Sequence, residues 1–153
     1  MNLPDALLGI RQLAFDTSVL IYFVERHPVY FPPMLFVMGH VDGGLIDGIA
    51  STVALTEVLV QPLRVGNIAL AERYESVLSD SNSFRLEPVT ITIARAAADL
   101  RARYNLRTPD ALHVATAIIF GCDAFLTNDA AIQRVTEIRV LLLDELEIVP
   151  QSA

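Results

Sequence analysis

Apolar positions along the chain fall into short runs and longer spaced patterns, which alternate. Leu13-Ala14-Phe15 and residues 45–50 (apart from Asp47), 124–127 and 139–143 are short and apolar, and with 84–89, a candidate weakened by Pro88, they predict five strands. Between them, helical spacing predicts helices over 17 to about 25, 32–42, 52 to about 61, 65–78, 90–104 and 109–120, with a short helix from 128 to about 135. Asp16-Thr17-Ser18, Ser51-Thr52 and Thr108 offer side-chain oxygens to free helix amides, and Pro32-Pro33 and Pro109 suit a first turn. His27-Pro28, Gly43-Gly44, Gln61-Pro62 and Gly121 read as stops. The helix after Pro109 is apolar nearly all round beyond its first turn, so burial is expected. In the lead, Leu3, Leu7, Leu8 and Ile10 form one apolar stripe. The tail after the fifth strand is acidic and is expected to fray.

Strand–helix alternation is the pattern of a parallel sheet covered on both faces, an α/β class. No repeat, low-complexity segment or internal linker divides it, so residues 1–153 read as one domain.

Composition narrows this further. Hydrophobic residues make up 53% of 153, enough for a core without covalent staples. The single cysteine, Cys122, excludes an intrachain disulfide and a cysteine-based zinc site, and fits a reducing cytoplasm. No signal-peptide pattern opens the chain and no apolar run suits a bilayer span, so no membrane association is expected. The net charge of −7 argues against a nucleic-acid coat protein, though not against an enzyme that meets nucleic acid at one site. All basic residues are arginine. Codon bias is the plain explanation, and arginine forks also suit phosphate.

The chemistry lies in four carboxylates. Asp16 leaves the first strand and starts a helix. Glu57 sits among apolar residues one turn into the third helix. Asp110 stands in the first turn of the buried helix, and Asp129 follows the fourth strand. Each has a plain alternative as a cap, a helix-dipole partner or an exposed side chain. In a parallel sheet, however, every strand-to-helix junction lies at the same edge, so Asp16 and Asp129 converge, with Asp110 at another helix start. Packed carboxylates repel unless charge is cancelled. Mg²⁺ does so with a few carboxylates and several waters, and such a site can activate water and stabilise a pentacovalent phosphorus.

Four motifs carry a family resemblance: Asp16-Thr17-Ser18, Thr56-Glu57-Val58-Leu59, Thr108-Pro109-Asp110-Ala111-Leu112-His113 and Leu126-Thr127-Asn128-Asp129. In this order and spacing, across about 13–143, the chain resembles the PIN-domain nucleases, and among them the toxin ribonucleases of VapBC-type toxin–antitoxin pairs. The resemblance implies a five-stranded parallel sheet flanked by helices and a metal-dependent endoribonuclease acting on RNA. It implies Asp16, Glu57, Asp110 and Asp129 as the catalytic and metal-binding quartet for Mg²⁺ or Mn²⁺. Thr127, with Thr17 or Ser18, supports the site through hydroxyls. A homodimer and an antitoxin peptide are the implied protein partners, using the first two helices. The N-terminal lead and the acidic charge depart from the pattern.

Arg64 and Arg107 flank the motifs and can fork onto a phosphate, whereas Arg95, Arg101 and Arg103 read as a solvated helix face. His113 shares a helix face with Asp110 and is read as a packed or partly exposed side chain, with substrate contact as the lesser alternative. Tyr22, Phe23, Tyr30, Phe31, Phe36 and Met38 are core, or a patch awaiting a partner. Two rival functions remain: a stand-alone PIN nuclease in RNA processing, and a PIN-like binding module that no longer cuts. Four clustered carboxylates argue against the second, because burying them unneutralised is costly.

Overall fold

The structure is a computed structural model that describes residues 1–148, so the expected fraying of the last residues lies outside the described range. Helix α1 (Leu3–Ala6) leads into β1 (Gln12–Phe15), α2 (Thr17–Val24) and α3 (Phe31–Asp42). Strand β2 (Asp47–Ser51), helices α4 (Thr52–Val65) and α5 (Ile68–Val77), and β3 (Phe84–Glu87) follow. Helices α6 (Ile91–Tyr104) and α7 (Thr108–Ile119), then β4 (Ala124–Thr127), a 3₁₀ turn (Ala130–Arg134) and β5 (Arg139–Leu142), complete the sheet.

All four strand pairings are parallel, in the order β3-β2-β1-β4-β5. Alternate side chains serve opposite faces. Leu13, Phe15 and Leu126 join Leu20, Met34, Tyr74 and Phe84 on the side of α2 to α5. Ala14 and Phe125 join Ile93, Val114 and Ile132 on the side of α6 and α7. Helix α7 buries Ala111, Val114, Ala115 and Ala117 completely, as its nearly unbroken apolar sequence requires. In β2, Gly48 is a packing necessity: a Cβ there would lie 2.7 Å from the Phe84 ring and 3.1 Å from the Phe15 ring.

Several boundaries differ from expectation. Helix α4 does not stop at Pro62 but runs to Val65. A proline in the last turn removes only one late hydrogen bond. The stop is Gly66, at φ +72°, where the Asn67 amide closes on the Pro62 carbonyl at 2.8 Å. Helix α5 accordingly starts at Ile68, with the Asn67 side chain capping the Leu70 amide at 3.1 Å. Arg107, not Thr108, is the cap of α7, and Pro109 is its second residue. Leu8 departs from the expected stripe and is 74% exposed, because α1 has already ended and Gly9, at φ +78°, turns the chain. Leu3, Leu7 and Ile10 are buried as expected. The lead is tied to the far end of the chain, since the Leu3 amide donates to the Glu147 carbonyl at 2.8 Å. Among the described residues no helix is long and apolar enough to cross a membrane.

Candidate functional site

The strand order reverses at β1, which has β2 on one side and β4 on the other. Such a reversal opens a crevice beyond the carboxyl ends of the strands. Asp16 directly follows β1, and Asn128 and Asp129 directly follow β4, so the crevice is walled by these residues. It is a cleft of about 450 Å³ lined by Asp16, Glu57, Asp110 and Asp129 together with Thr17, Ser18, Ile21, Tyr22, Arg107 and Asn128. All four carboxylates of the expected quartet therefore face one cavity.

Asp16 forms the floor and is 6% exposed. Its Oδ1 accepts the Thr17 amide at 2.8 Å and thereby caps α2, while its Oδ2 accepts the Thr127 hydroxyl at 2.6 Å. Burial pushes its carboxyl above the ordinary value, and the negative charge of Asp110 adds to that shift. The hydrogen bonds from Thr127 and Thr17 oppose it. Thr127 is wholly buried beneath the cleft, and its hydroxyl oxygen also accepts the Asp129 amide at 3.0 Å. One hydroxyl thus joins the first acid to the fourth. Asp129 caps the following 3₁₀ turn, its Oδ1 accepting the Ala131 amide at 2.9 Å.

Asp110 is 8% exposed in the first turn of α7. Arg107 forks onto it, with Nε at 2.9 Å from Oδ2 and Nη2 at 3.4 Å from Oδ1. The Arg107 side chain is itself 76% exposed, on the wall of the cleft. Glu57 projects from α4. The Thr17 hydroxyl donates to its Oε1 at 2.8 Å, and His113 Nε2 lies 2.7 Å from the same oxygen. The hydrogen bond from His113 is the main cause that holds the Glu57 carboxyl below its usual value; Thr17 helps and desolvation opposes.

Of the other expected residues, Thr17, Ser18 and Arg107 line the cleft, whereas Arg64 does not. Arg64 lies seven residues beyond Glu57 in the last turn of α4, on much the same helix face but roughly 10 Å further along the axis. Sequence reasoning left out Ile21, Tyr22 and Asn128. Ser18, Ile21 and Tyr22 recur at helical spacing behind Asp16, which was the available signal. Asn128 is a strut: its Oδ1 accepts the Asp144 amide at 2.8 Å. His113, expected as a packed or partly exposed side chain, is packed at 2% exposure yet also touches two residues of the cleft wall.

The donor set consists of carboxylate and hydroxyl oxygens, which suit a hard divalent cation. Each oxygen of Asp16 accepts one protein hydrogen bond and keeps capacity for more. Among the described residues, no three His, Cys, Asp or Glu side chains close into a ready-made cage.

The sequence model of the PIN domain matches residues 13–138. The chain belongs to the PIN domain family. The match spans the sheet from β1 to the approach to β5, and with it all four carboxylates. Solved structures share the PIN fold. VapBC2 from Rickettsia felis, bound to a DNA fragment from its promoter, superposes with a TM-score of 0.68 at 13% identity, over 86% of this chain and 98% of that one. A toxin–antitoxin complex from Klebsiella pneumoniae gives a TM-score of 0.64 at 20% identity, over 86% and 97%. VapBC-5 from Mycobacterium tuberculosis gives 0.55 at 22% identity, over 86% and 98%. A comparison with curated protein sequences gives no match.

Proposed function

We propose that this PIN domain is a Mg²⁺- or Mn²⁺-dependent endoribonuclease and the toxin of a toxin–antitoxin pair, acting in the cytoplasm. The observation that carries the reading is the convergence of Asp16, Glu57, Asp110 and Asp129, from four separate segments, on one cleft at the strand-order reversal. Asp16 and Asp110, the two buried acids, would hold the cation, with Glu57 and Asp129 completing the site directly or through water. A divalent ion bound there supplies charge stabilisation at the scissile phosphate and a more acidic water. Thr127 and the Thr17 amide fix the rotamer of Asp16, so no reorganisation is needed when charge develops. Arg107, the one cationic side chain lining the cleft among the described residues, is placed to fork onto a phosphate oxygen.

The toxin part of the reading rests on the similarity to complexes named as toxin–antitoxin pairs. An apolar hollow lined by Phe23, Val24, Phe31, Leu35 and Val77, with Arg26 and Arg73 at its edge, suits an amphipathic antitoxin peptide with acidic residues. A second copy of the chain is the other partner this reading assigns.

End-labelled single-stranded RNA, incubated with purified protein and Mn²⁺, tests the activity. Cutting is expected with metal, none in EDTA, and none with Asp16→Asn or Asp110→Asn, while both variants keep a cooperative melt. Full activity in both variants would overturn the site assignment. Relief of growth inhibition on co-expression of a small protein encoded beside the gene is the expected mark of an antitoxin.

A further inference from the structure

His113 is buried at 2% exposure in the middle of α7, and its Nδ1 has no hydrogen-bond partner. A buried polar atom without a partner costs free energy. A leucine would fill the same space with no orphan nitrogen, so packing alone gives no reason for an imidazole here. The other ring nitrogen supplies the reason. Nε2 lies 2.7 Å from Glu57 Oε1 and 3.0 Å from Thr17 Oγ1. Because Nδ1 meets no acceptor, the ring proton belongs on Nε2, where it is shared between these two oxygens. The Thr17 hydroxyl hydrogen then goes to Glu57 Oε1 at 2.8 Å, closing a three-membered ring of side chains from α2, α4 and α7.

The asymmetry at Glu57 matters. Oε1 takes both contacts, and Oε2 takes none from a described residue. Glu57 sits on an otherwise mobile stem, its side chain 35% exposed on the cleft wall. Unanchored, such a side chain samples many rotamers, and ordering it would count against any ligand it meets.

We propose that His113 is a positioning residue: with Thr17 it pins one oxygen of Glu57 and leaves the other presented to the cleft for the cation or its water. It acts only through Glu57 and touches neither substrate nor ion. The inference rests on the metal-dependent reading above. Partners of this kind, one step removed from an ion, commonly change affinity or activity by about 10- to 100-fold when removed.

The test uses His113→Leu, His113→Gln and Thr17→Val in the full chain. The glutamine amide places an N–H near the position of Nε2. Mn²⁺ calorimetry and single-turnover RNA cleavage are read side by side. His113→Leu is expected to weaken Mn²⁺ binding and lower the cleavage rate by about tenfold or more, with RNA affinity within twofold, and His113→Gln to recover most of both. Should His113→Leu not fold, Thr17→Val is expected to give the same loss. A long-range ¹H–¹⁵N spectrum of the metal-free protein should place the His113 proton on Nε2.

Unchanged Mn²⁺ affinity in His113→Leu and Thr17→Val, with wild type binding and cutting, overturns the positioning role and leaves the nuclease reading intact. Equal losses in His113→Gln and His113→Leu reduce His113 to packing and also overturn it, as does a proton on Nδ1. Wild type that neither binds Mn²⁺ nor cuts RNA overturns both readings.

Discussion

Thr127 donates its hydroxyl hydrogen to Asp16 Oδ2 at 2.6 Å, linking residues 111 positions apart at the ends of two neighbouring strands. Thr127 is 0% exposed and Asp16 only 6%, at the floor of the cleft. A hydrogen bond to a largely buried carboxylate is among the stronger kinds, and its loss leaves the oxygen without its protein donor. Thr127→Val keeps the shape and removes the donor. It is expected to cost about 2 kcal/mol in urea unfolding, with Thr127→Ser losing much less. A Thr127→Val variant as stable as wild type would contradict this geometry.

Asp16→Asn should separate stability from activity. Burial holds the Asp16 carboxyl above its ordinary value of 3.8, so the folded chain retains a proton that the unfolded chain has released. Stability therefore falls as pH rises from that value through the raised one. An asparagine has no such slope. In metal-free buffer at pH 7 the variant is expected to melt at or above the wild-type temperature, with the advantage shrinking as pH falls through the raised value toward 3.8 and changing no further below it, while RNA cutting is lost. Thermal melts across the acid range, on both proteins, decide it.

Arg107→Ala is expected to act in opposite directions on the two ligands. The guanidinium that forks onto Asp110 competes with any cation for that carboxylate. Its removal should tighten Mn²⁺ binding by about three- to tenfold and weaken RNA binding, with a shallower salt dependence. Because the arginine is largely exposed, unfolding free energy should move by less than about 1 kcal/mol. Calorimetry with Mn²⁺ and an RNA-binding titration at two salt concentrations read the two effects separately.

Gly48→Ala tests the core behind the cleft. The added methyl would lie closer to the Phe84 ring than a Cβ tolerates and tightly against the Phe15 ring, so the Phe84 ring must move. Overpacking of this kind costs about 1–3 kcal/mol, so a lower urea midpoint with an unchanged slope is expected. A neutral result would mean that the two rings shift freely.

The sheet was legible because each strand is a short apolar run ended by a polar or turn residue. Ala124–Thr127 matches the expected range, and Gln12–Phe15 and Arg139–Leu142 differ by a single residue at one end. Convergence of Asp16 and Asp129 was legible too, since both follow parallel strands; Glu57 and Asp110 joined them only through the family motifs, because neither stands at a strand-to-helix junction. Local punctuation misled where context outweighed it. Pro62 reads as a stop, but near a helix end its missing amide matters little, and Gly66 carries the left-handed turn that ends α4. Arg64 read as a cleft residue because position along a helix axis is invisible until the helix is docked. The contacts of His113 with Thr17 and Glu57 join residues 96 and 56 positions away, and no spacing rule reports them.

The reversal of strand order has a consequence in time. A ribosome releases residues 16, 57 and 110 well before β4, and β4 is the neighbour against which the end of β1 closes. A nascent chain that stops before Ala124 carries three of the four acids but lacks Thr127 to hold Asp16 and Asp129 to close the far wall. The cleft is thus completed only by the last fifth of the polypeptide, after the other three walls have already been synthesised.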